Sequence, residues 1–207
     1  MFITLEGPEG SGKTSHLPDL ADFLREDGWN VLTTREPGGT AIGDQVRQVL
    51  MRSDNTAMNP RAETLLFLAA RAQLVNEVIR PALAAGTVVI SDRYGDSTLA
   101  YQGYGHGNDL DTIRQMLAFA TGGLTPDLTV LLDVDPAVGL RRKKTVGEWN
   151  RMDAYQLEFH QRVRAGYLEL ARQEPRRWVV LDAGQPREMV QTALRQVILA
   201  RLTPPSV

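Results

Sequence analysis

Five short runs rich in Val, Ile, Leu and Thr recur along the chain, and their apolar positions do not alternate with polar ones. Runs of this kind are typical of strands that are buried on both faces of a sheet. Such a sheet has to be covered by helices on both sides. The predicted strands are Phe2–Glu6, Asn30–Thr34, Thr87–Ser91, Leu128–Asp133 and Trp178–Asp182.

Helical patterns fill the intervals between the predicted strands. One apolar stripe consists of Leu17, Leu20, Ala21 and Leu24. Gly28 is placed to end that helix. Asn59-Pro60 resembles an N-cap followed by proline at the first helical position, which predicts a long helix through Ala85 with a kink or an early end at Pro81. Asp135-Pro136 repeats the capping signal. Alternating strands and helices predict βαβ units and a doubly wound α/β fold with a five-stranded parallel sheet.

The composition excludes several classes of function. The chain has 207 residues, 43% of them hydrophobic and 23% charged, which fits a single domain over positions 1–207. A net charge of −2 argues against a protein whose main work is to grip nucleic acid or an anionic membrane. The lack of cysteine excludes disulfides, cysteine-ligated zinc and thiol catalysis. With no signal peptide and no apolar run of the roughly 20 residues that a membrane helix needs, we expect a cytoplasmic protein.

The segments that follow the strands are the first place to look for a site, because ligands of a doubly wound sheet bind beyond the carboxyl ends of its strands. All five segments are rich in glycine, charged or hydroxyl-bearing residues. They are Glu6–Thr14, Arg35–Thr40, Asp92–Gln102, Asp133–Asp135 and Asp182–Gln185.

The first segment contains GPEGSGKT, a phosphate-binding loop between an apolar strand and a helical pattern, which predicts a fold of the P-loop NTPase type. Backbone N–H groups of such a loop surround the phosphates, the lysine reaches the β- and γ-phosphates, and the hydroxyl ligates Mg²⁺. The predicted nucleotide-binding residues are Gly7, Pro8, Glu9, Gly10, Ser11, Gly12, Lys13 and Thr14.

A P-loop leaves three classes open: a GTPase switch, an ATPase motor and a small-molecule kinase. A GTPase needs an Asn-Lys-x-Asp motif, which is absent, and the DxxGQ-like Asp182–Gln185 lies too far from the loop. A motor is normally larger or part of an oligomeric array. A kinase needs a second pocket whose arginines hold the charge of the acceptor near the γ-phosphate.

Arginines at the ends of the next strands supply candidates for that second pocket. Asp92 ends an apolar strand, where a carboxylate can help to hold Mg²⁺, and Arg93 beside it offers a bidentate fork to phosphate. Arg47 lies at the edge of a predicted apolar helix face. Phe67 and Arg71 are four residues apart and share a helix face. They suggest an aromatic plate for a base with an arginine at its edge, although the pattern alone slightly favours a core aromatic at Phe67.

With these residues in place, the chain resembles the bacterial thymidylate kinases over nearly its whole length. The resemblance rests on GPEGSGKT, TREPGGT, LLFLAAR, VVISDRYGDSTLAYQG, TPDLTVLLDVDPAVGL and AGYLELA. It implies transfer of the γ-phosphoryl group of ATP to dTMP, which gives dTDP and ADP for dTTP synthesis, with Mg²⁺ as cofactor and a homodimer as the assembly. A kinase for dUMP or a modified pyrimidine is the alternative, and a nucleotide-dependent switch is a more distant one.

The resemblance also implies roles for individual residues of the acceptor site. Glu9 would accept a hydrogen bond from the sugar 3′-hydroxyl, Phe67 would stack on thymine, and Tyr101 would crowd a 2′-hydroxyl. Arg71 would donate to thymine O4, and Gln102 would contact the N3/O4 edge. The implied substrate-binding residues are Glu9, Glu36, Arg47, Phe67, Arg71, Arg93, Thr98, Tyr101 and Gln102.

The choice of base has a physical reason. Thymine offers an acceptor at O4 and a donor at N3, whereas cytosine reverses both. A site built to bond one pattern can reject the other by about 10⁴-fold, but a missing methyl group is worth roughly 10-fold to a few hundred-fold. We therefore expect strong rejection of dCMP and weaker rejection of dUMP.

The basic segment RRKKTVGEWNRMD at 141–153 is interpreted as a mobile lid that brings a cation to the transferring phosphoryl group. Arg142 matches the family pattern and Arg151 is a second candidate, so both join Lys13 and Arg93 as predicted catalytic residues. Val146 stands where relatives commonly have arginine, and Lys143 and Lys144 are possible substitutes. Arg142, Asp182 and Gln185 are further predicted to contact ATP, the last two beside adenine.

Overall fold

A computed structural model describes residues 1–147 and 149–202, apart from the side chain at position 146. Position 148, in the glycine-glutamate pair of the predicted lid, and positions 203–207 lie outside these residues. In the part described, five parallel strands form one sheet in the order β2-β3-β1-β4-β5. The strands are β1 Phe2–Glu6, β2 Val31–Arg35, β3 Val88–Asp92, β4 Leu128–Asp133 and β5 Trp178–Asp182.

This sheet confirms the predicted fold class. Three strands have the predicted bounds, and β2 and β3 each lie one residue further along the chain than expected. The shift places Arg35 and Asp92 inside their strands, where they are partners in register. Two of the residues expected just beyond the sheet are therefore held by its ladder.

Helices follow each strand and cover the sheet. They are α1 Lys13–Glu26, α2 Ala41–Met51, α3 Pro60–Leu74, α4 Arg80–Ala84, α5 Gly95–Thr98, α6 Leu110–Thr121, α7 Pro136–Val146, α8 Leu157–Gln173 and α9 Arg187–Leu199. Two π-helical segments, Val75–Ile79 and Leu99–Gly105, and a 3₁₀ turn, Met152–Ala154, complete the described structure.

The capping signals agree with the helix starts. The Asn59 side chain accepts from the backbone N–H of Arg61, and the Asp135 side chain accepts from those of Ala137 and Val138. The long helix expected through Ala85 is divided by the π-helical segment just before Pro81. A widened turn there is a reasonable response to a proline, which offers no N–H to a regular α-helical ladder.

Apolar side chains fill both faces of the sheet. On one face, Leu20 and Leu24 of α1 and Leu194 of α9 pack in a cluster with β1 and β4. On the other face, two further clusters join α3, α6 and α8 to the sheet. No helix of the described residues is both long and apolar enough to cross a membrane. The fold thus leaves the carboxyl ends of the strands as the rim where polar segments converge.

Candidate active site

The phosphate-binding loop runs from the end of β1 to the first residue of α1 and packs closely on α7. Gly10 has φ +68°, and a Cβ atom there would lie 2.0 Å from the carbonyl oxygen of Gly139. Gly139 faces the same contact, because its own Cβ would lie 2.1 Å from the carbonyl oxygen of Glu9. Only glycine fits at this crossing, so the loop and α7 hold one another in place.

Lys13 lies across the loop and is bonded to it. Its Nζ donates to the carbonyl oxygens of Gly7 (2.9 Å) and Pro8 (3.0 Å) and to Ser11 Oγ (3.0 Å). Burial, with repulsion from Arg93, lowers the pKa of Lys13 to about 8 despite the opposing attraction of nearby carboxylates. The ammonium is held where an anion would relieve its desolvation.

The predicted magnesium ligands are in contact. Thr14 Oγ1 donates to Asp92 Oδ2 at 2.6 Å, which joins the start of α1 to the end of β3 beside the loop. A hydroxyl and a carboxylate are oxygen ligands of the type that Mg²⁺ prefers when phosphates and water complete its shell. The described residues contain no group of three or more His, Cys, Asp or Glu side chains able to hold a metal alone. The pair therefore fits Mg²⁺ that arrives with a nucleotide.

Arg93 has a strained backbone at the centre of the rim. Its φ of 74° makes it the one residue other than glycine with positive φ among those described. Such a conformation costs about 1–3 kcal/mol and is retained where the surroundings enforce it. Here the N–H of Arg93 donates to the Leu5 carbonyl at 3.0 Å, and its carbonyl accepts from Ser91 Oγ at 2.7 Å. The backbone aims the guanidinium across the loop.

The Arg93 guanidinium is bonded to Glu9, the acidic residue of the loop. Its Nη2 lies 2.8 Å from Glu9 Oε1 and 3.1 Å from the Tyr101 hydroxyl, which also donates to Glu9 Oε1 at 3.0 Å. Burial acts to raise the pKa of Glu9, but Arg93, Lys13 and Lys143 outweigh it and lower that pKa to about 2. Glu9 is thus an ionised hydrogen-bond acceptor surrounded by basic side chains.

Arg47 provides a second guanidinium that faces Arg93. Its Nη1 donates to the Pro37 carbonyl at 2.9 Å, and it lines the same cavity as Arg35 and Arg93. Burial and repulsion from Arg35 lower the pKa of Arg47. A partly buried arginine whose charge is opposed by neighbouring arginines suits a phosphate, which would neutralise it.

At the far end of the cavity lie the residues predicted to hold the base. Phe67, Thr98 and Gln102 line this end. Arg71 lies behind the wall and is 1% exposed, and its donors are engaged by Glu36 Oε2, Thr98 Oγ1 and the Tyr94 carbonyl. Glu36 has one carboxylate oxygen, Oε1, that is buried and receives no hydrogen bond from the described residues. Phe67 and Arg71 share a helix face and therefore lie at the same end of the cavity. Only Phe67 reaches the cavity surface.

The two lid arginines have different surroundings. Arg142 lines the cavity and donates to the Ala183 carbonyl at 2.9 Å, beside Gln185. Arg151 is 6% exposed, donates to the Leu50 carbonyl at 2.9 Å, and pairs with Glu63 Oε2 at 2.6 Å. Arg151 is thus enclosed in the protein beside Glu63 of α3, whereas Arg142 lies at the cavity surface beside Ala183.

One cavity of about 880 Å³ connects these parts of the rim. Of the predicted site residues, those on its surface are Glu9, Gly10, Ser11, Gly12, Lys13, Thr14, Glu36, Arg47, Phe67, Asp92, Arg93, Thr98, Tyr101, Gln102, Arg142 and Gln185. Those outside its lining are Gly7, Pro8, Arg71, Arg151 and Asp182. Asp182 accepts from the Gly184 N–H and the Gln185 amide instead.

Two buried carboxylates at this rim were missed by the sequence reasoning. Glu6 is fully buried at the end of β1 and accepts from Ser97 Oγ, the Tyr167 hydroxyl and the Tyr94 N–H. The sequence signal for Glu6 was its position as the charged last residue of an otherwise apolar strand. Glu63 is fully buried on α3, and its spacing of four from Phe67, and eight from Arg71, places all three on one helix face.

A five-stranded parallel sheet with a phosphate-binding loop after its first strand, joined by one cavity to a cluster of arginines, defines a nucleotide-binding α/β protein of the P-loop kinase class. Comparison with known proteins names the branch: a sequence model of the family described as thymidylate kinase matches residues 5–194. The chain therefore belongs to the thymidylate kinase family, whose members are nucleoside monophosphate kinases.

Individual relatives agree with this assignment over nearly the whole chain. The thymidylate kinase of Deinococcus radiodurans is 51% identical over 97% of each chain, and that of Roseiflexus sp. (strain RS-1) is 50% identical over 96% of this chain and 93% of its own. The crystal structure of thymidylate kinase from Ehrlichia chaffeensis has a TM-score of 0.80 and 34% identity, and it covers 96% of this chain and 98% of that one.

Proposed function

We propose that this chain transfers the γ-phosphoryl group of ATP to dTMP and releases dTDP and ADP, a step in dTTP synthesis. The observation that carries the proposal is the single cavity that runs from the phosphate-binding loop to Phe67 past Arg47 and Arg93. A phosphate held between those arginines lies between the loop and the aromatic ring. That arrangement suits two nucleotides placed end to end, with their phosphates toward each other.

The chemistry needs no strong base. A phosphate oxygen of dTMP forms a bond to the γ-phosphorus, and the bond from that phosphorus to the β–γ bridging oxygen breaks, so that ADP leaves with the electron pair. A monophosphate is largely ionised near neutral pH, so its oxygen is already a nucleophile. Catalysis then consists of positioning and of neutralising charge on the oxygens of the transferred group.

Side chains of this rim supply the cations for that neutralisation. Lys13 would release its loop carbonyls for the β- and γ-phosphates, and Arg93 would reach the transferred group from the acceptor side. Thr14 and Asp92 would hold Mg²⁺, which supplies charge stabilisation when it is bound with ATP. Arg142, on the nucleotide side, is better placed than the enclosed Arg151 to serve as the lid cation. A role for Arg151 in the reaction would require its pair with Glu63 to open.

The acceptor is recognised at three points along the cavity. Arg47 and Arg93 hold the 5′-phosphate, Glu9 accepts from the sugar 3′-hydroxyl beside Tyr101, and Phe67 stacks on thymine. A bond from Arg71 to thymine O4 would use its remaining Nη1 hydrogen and would require the buried side chain to be uncovered when the nucleotide binds, because it lies outside the cavity lining. Arg71 also holds Thr98 and Glu36 in place. Gln102 borders the N3 edge. Gln185 and Asp182 border adenine at the opposite end of the cavity.

The assembly and the location follow the family resemblance. We expect a cytoplasmic homodimer, a lid over about 141–153 that moves, and one kinase domain over 1–207 that works without nucleic acid or membrane. Sedimentation equilibrium at micromolar protein concentration tests the dimer, since a mass near 22.9 kDa would contradict it.

Release of ADP with a panel of monophosphates tests the substrate assignment directly. The expected order of kcat/KM is dTMP, then dUMP lower by roughly 10-fold to a few hundred-fold, then dCMP, AMP and GMP far below. A preference for dCMP would contradict the base assignment. Binding of a nucleotide without turnover of any monophosphate would contradict the kinase itself.

A further inference from the structure

The Glu63 carboxylate forms the centre of a buried network at the base end of the cavity. Its Oε1 accepts hydrogen bonds from Gln102 Nε2 at 2.8 Å and from His106 Nε2 at 3.0 Å. Its Oε2 accepts a hydrogen bond from the Tyr155 hydroxyl at 3.0 Å and forms a salt bridge with Arg151 Nη2 at 2.6 Å. Burial acts to raise the pKa of Glu63, but the bonds from His106 and Gln102 and the charge of Arg151 lower it to about 2. At neutral pH this carboxylate can therefore only accept.

An acceptor at this position determines the orientation of the neighbouring amide. The Gln102 side chain ends in one donor group and one acceptor atom, and the hydrogen-bond network decides which is which. Because Glu63 cannot donate, the amide nitrogen of Gln102 has to face it. Gln102 Oε1 then remains at the cavity wall, and no described residue donates a hydrogen bond to it.

We infer that Glu63 is a positioning residue that sets Gln102 as an acceptor toward the base and so selects pyrimidines that carry a hydrogen on N3. The inference rests on the proposed function and extends it from Gln102 to a residue that touches no substrate. Thymine and uracil both present N3–H to an oxygen at this place. Cytosine presents an N3 lone pair, which would face the lone pairs of Oε1 without a proton between them.

Arg151, which pairs with the other carboxylate oxygen of Glu63, makes Glu63→Gln an informative change. Arg151 offers only donors, so the carbonyl of the introduced amide has to face Arg151. Its NH₂ group then faces Gln102 and His106, and His106 accepts at Nε2 by taking the tautomer with its proton on Nδ1. Gln102 would then turn its oxygen toward that NH₂ and present its own NH₂ to the base. The pocket would lose its acceptor for N3–H and gain a donor that matches cytosine N3.

The experiment is a competition between dTMP and dCMP in one reaction, with the wild-type full chain, Glu63→Gln and the control Tyr155→Phe. When both substrates compete in one reaction mixture, the ratio of their kcat/KM values does not depend on the fraction of folded enzyme. We expect Glu63→Gln to lower the dTMP:dCMP ratio at least 10-fold and to keep the dTMP:dUMP ratio within about twofold, since a site that bonds a polar group discriminates strongly on it. Tyr155→Phe removes a donor to Oε2 and the acceptor of Arg151 Nη1, leaves the bond from Gln102 to Oε1 in place, and should keep the wild-type ratio.

A charge-conserving swap provides a second variant for the case in which Glu63→Gln folds poorly. In Glu63→Gln combined with Gln102→Glu, the introduced amide donates to one oxygen of the new carboxylate, and the other oxygen faces the base as an acceptor. We expect this swap to recover the preference for dTMP over dCMP by at least 10-fold relative to the single variant. A swap that remains as unselective as the single variant would overturn the inference.

The remaining outcomes separate this inference from the function beneath it. If wild type prefers dTMP and Glu63→Gln keeps the full dTMP:dCMP ratio, Glu63 does not orient Gln102 and the proposed function stands. If the dTMP:dUMP ratio falls as far as the dTMP:dCMP ratio, the change distorts the pocket in general and the inference is wrong. If wild type does not phosphorylate dTMP, both fail.

Discussion

The pair formed by Arg71 and Glu36 is predicted to stabilise the fold as well as the base site, and removal of Arg71 separates the two roles. Their side chains are 1% and 3% exposed, and Arg71 also donates to Thr98 and to the Tyr94 carbonyl. Breaking a buried pair by removing one partner costs about 3–5 kcal/mol, because the other charge is left uncompensated. For a chain of this length that loss lowers Tm by about 6–20 °C.

The assay is urea unfolding of wild type, Arg71→Met, and Arg71→Met with Glu36→Gln. The single variant should lose about 3–5 kcal/mol, and the double variant should recover more than half of it, because no charge is then left buried. Arg61→Met, an exposed change on the same helix, should stay within about 0.5 kcal/mol of wild type. In kinetics, Arg71→Met should raise KM for dTMP far more than KM for ATP.

The pH dependence gives a further check on the same variants. Burial raises the pKa of Glu36 even with Arg71 beside it. A carboxyl group whose folded-state pKa is raised contributes stability that is present at low pH and lost as pH rises through that pKa. Removal of Arg71 takes away the charge and the hydrogen bond that lower the pKa of Glu36, so the stability lost with rising pH is larger in Arg71→Met than in wild type. The variant should therefore fall further below wild type at pH 8 than at pH 5. A single variant within about 1 kcal/mol of wild type at pH 8, or a double variant no more stable than the single one, would refute this reasoning. Equal effects on the two KM values would contradict the base site.

Three further predictions concern the loop and its surroundings. Lys13→Met should lower kcat by about 10²- to 10³-fold while circular dichroism is unchanged, and a smaller loss would place Lys13 outside the transfer step. Asp92→Asn should raise the Mg²⁺ concentration for half-maximal ADP release by about 10- to 100-fold, and an unchanged midpoint would remove Asp92 from the metal site with Thr14. Burial and the nearby Asp96 raise the pKa of Glu6 from 4.5 to about 7. Wild-type stability should therefore fall as pH rises across that interval, and Glu6→Gln should give a flatter urea-midpoint profile. Parallel profiles would show that Glu6 does not titrate there.

Local patterns in the sequence were sufficient to predict the architecture and the position of the phosphate-binding loop. Apolar runs without alternation predict buried parallel strands, and three of the five bounds agree with the structure. The caps at Asn59 and Asp135 depend on a side chain and on N–H groups two or three residues away, so neighbours in the sequence determine them. The phosphate-binding loop is likewise a contiguous device, because its donors are successive backbone groups.

Only the tertiary structure decided which polar side chains meet and which of them remain free for a ligand. Arg71 and Arg151 both lie in segments that the sequence assigns to the site, but each is buried in an ion pair with a residue far away in the sequence. Arg71 pairs with Glu36, and Arg151 pairs with Glu63. Glu63 and Gln102 are 39 positions apart, and no periodicity within a segment reports such a contact. A buried hydrogen bond depends on three-dimensional distance and on which partner can donate, and both are set when helices from different parts of the chain pack on one sheet.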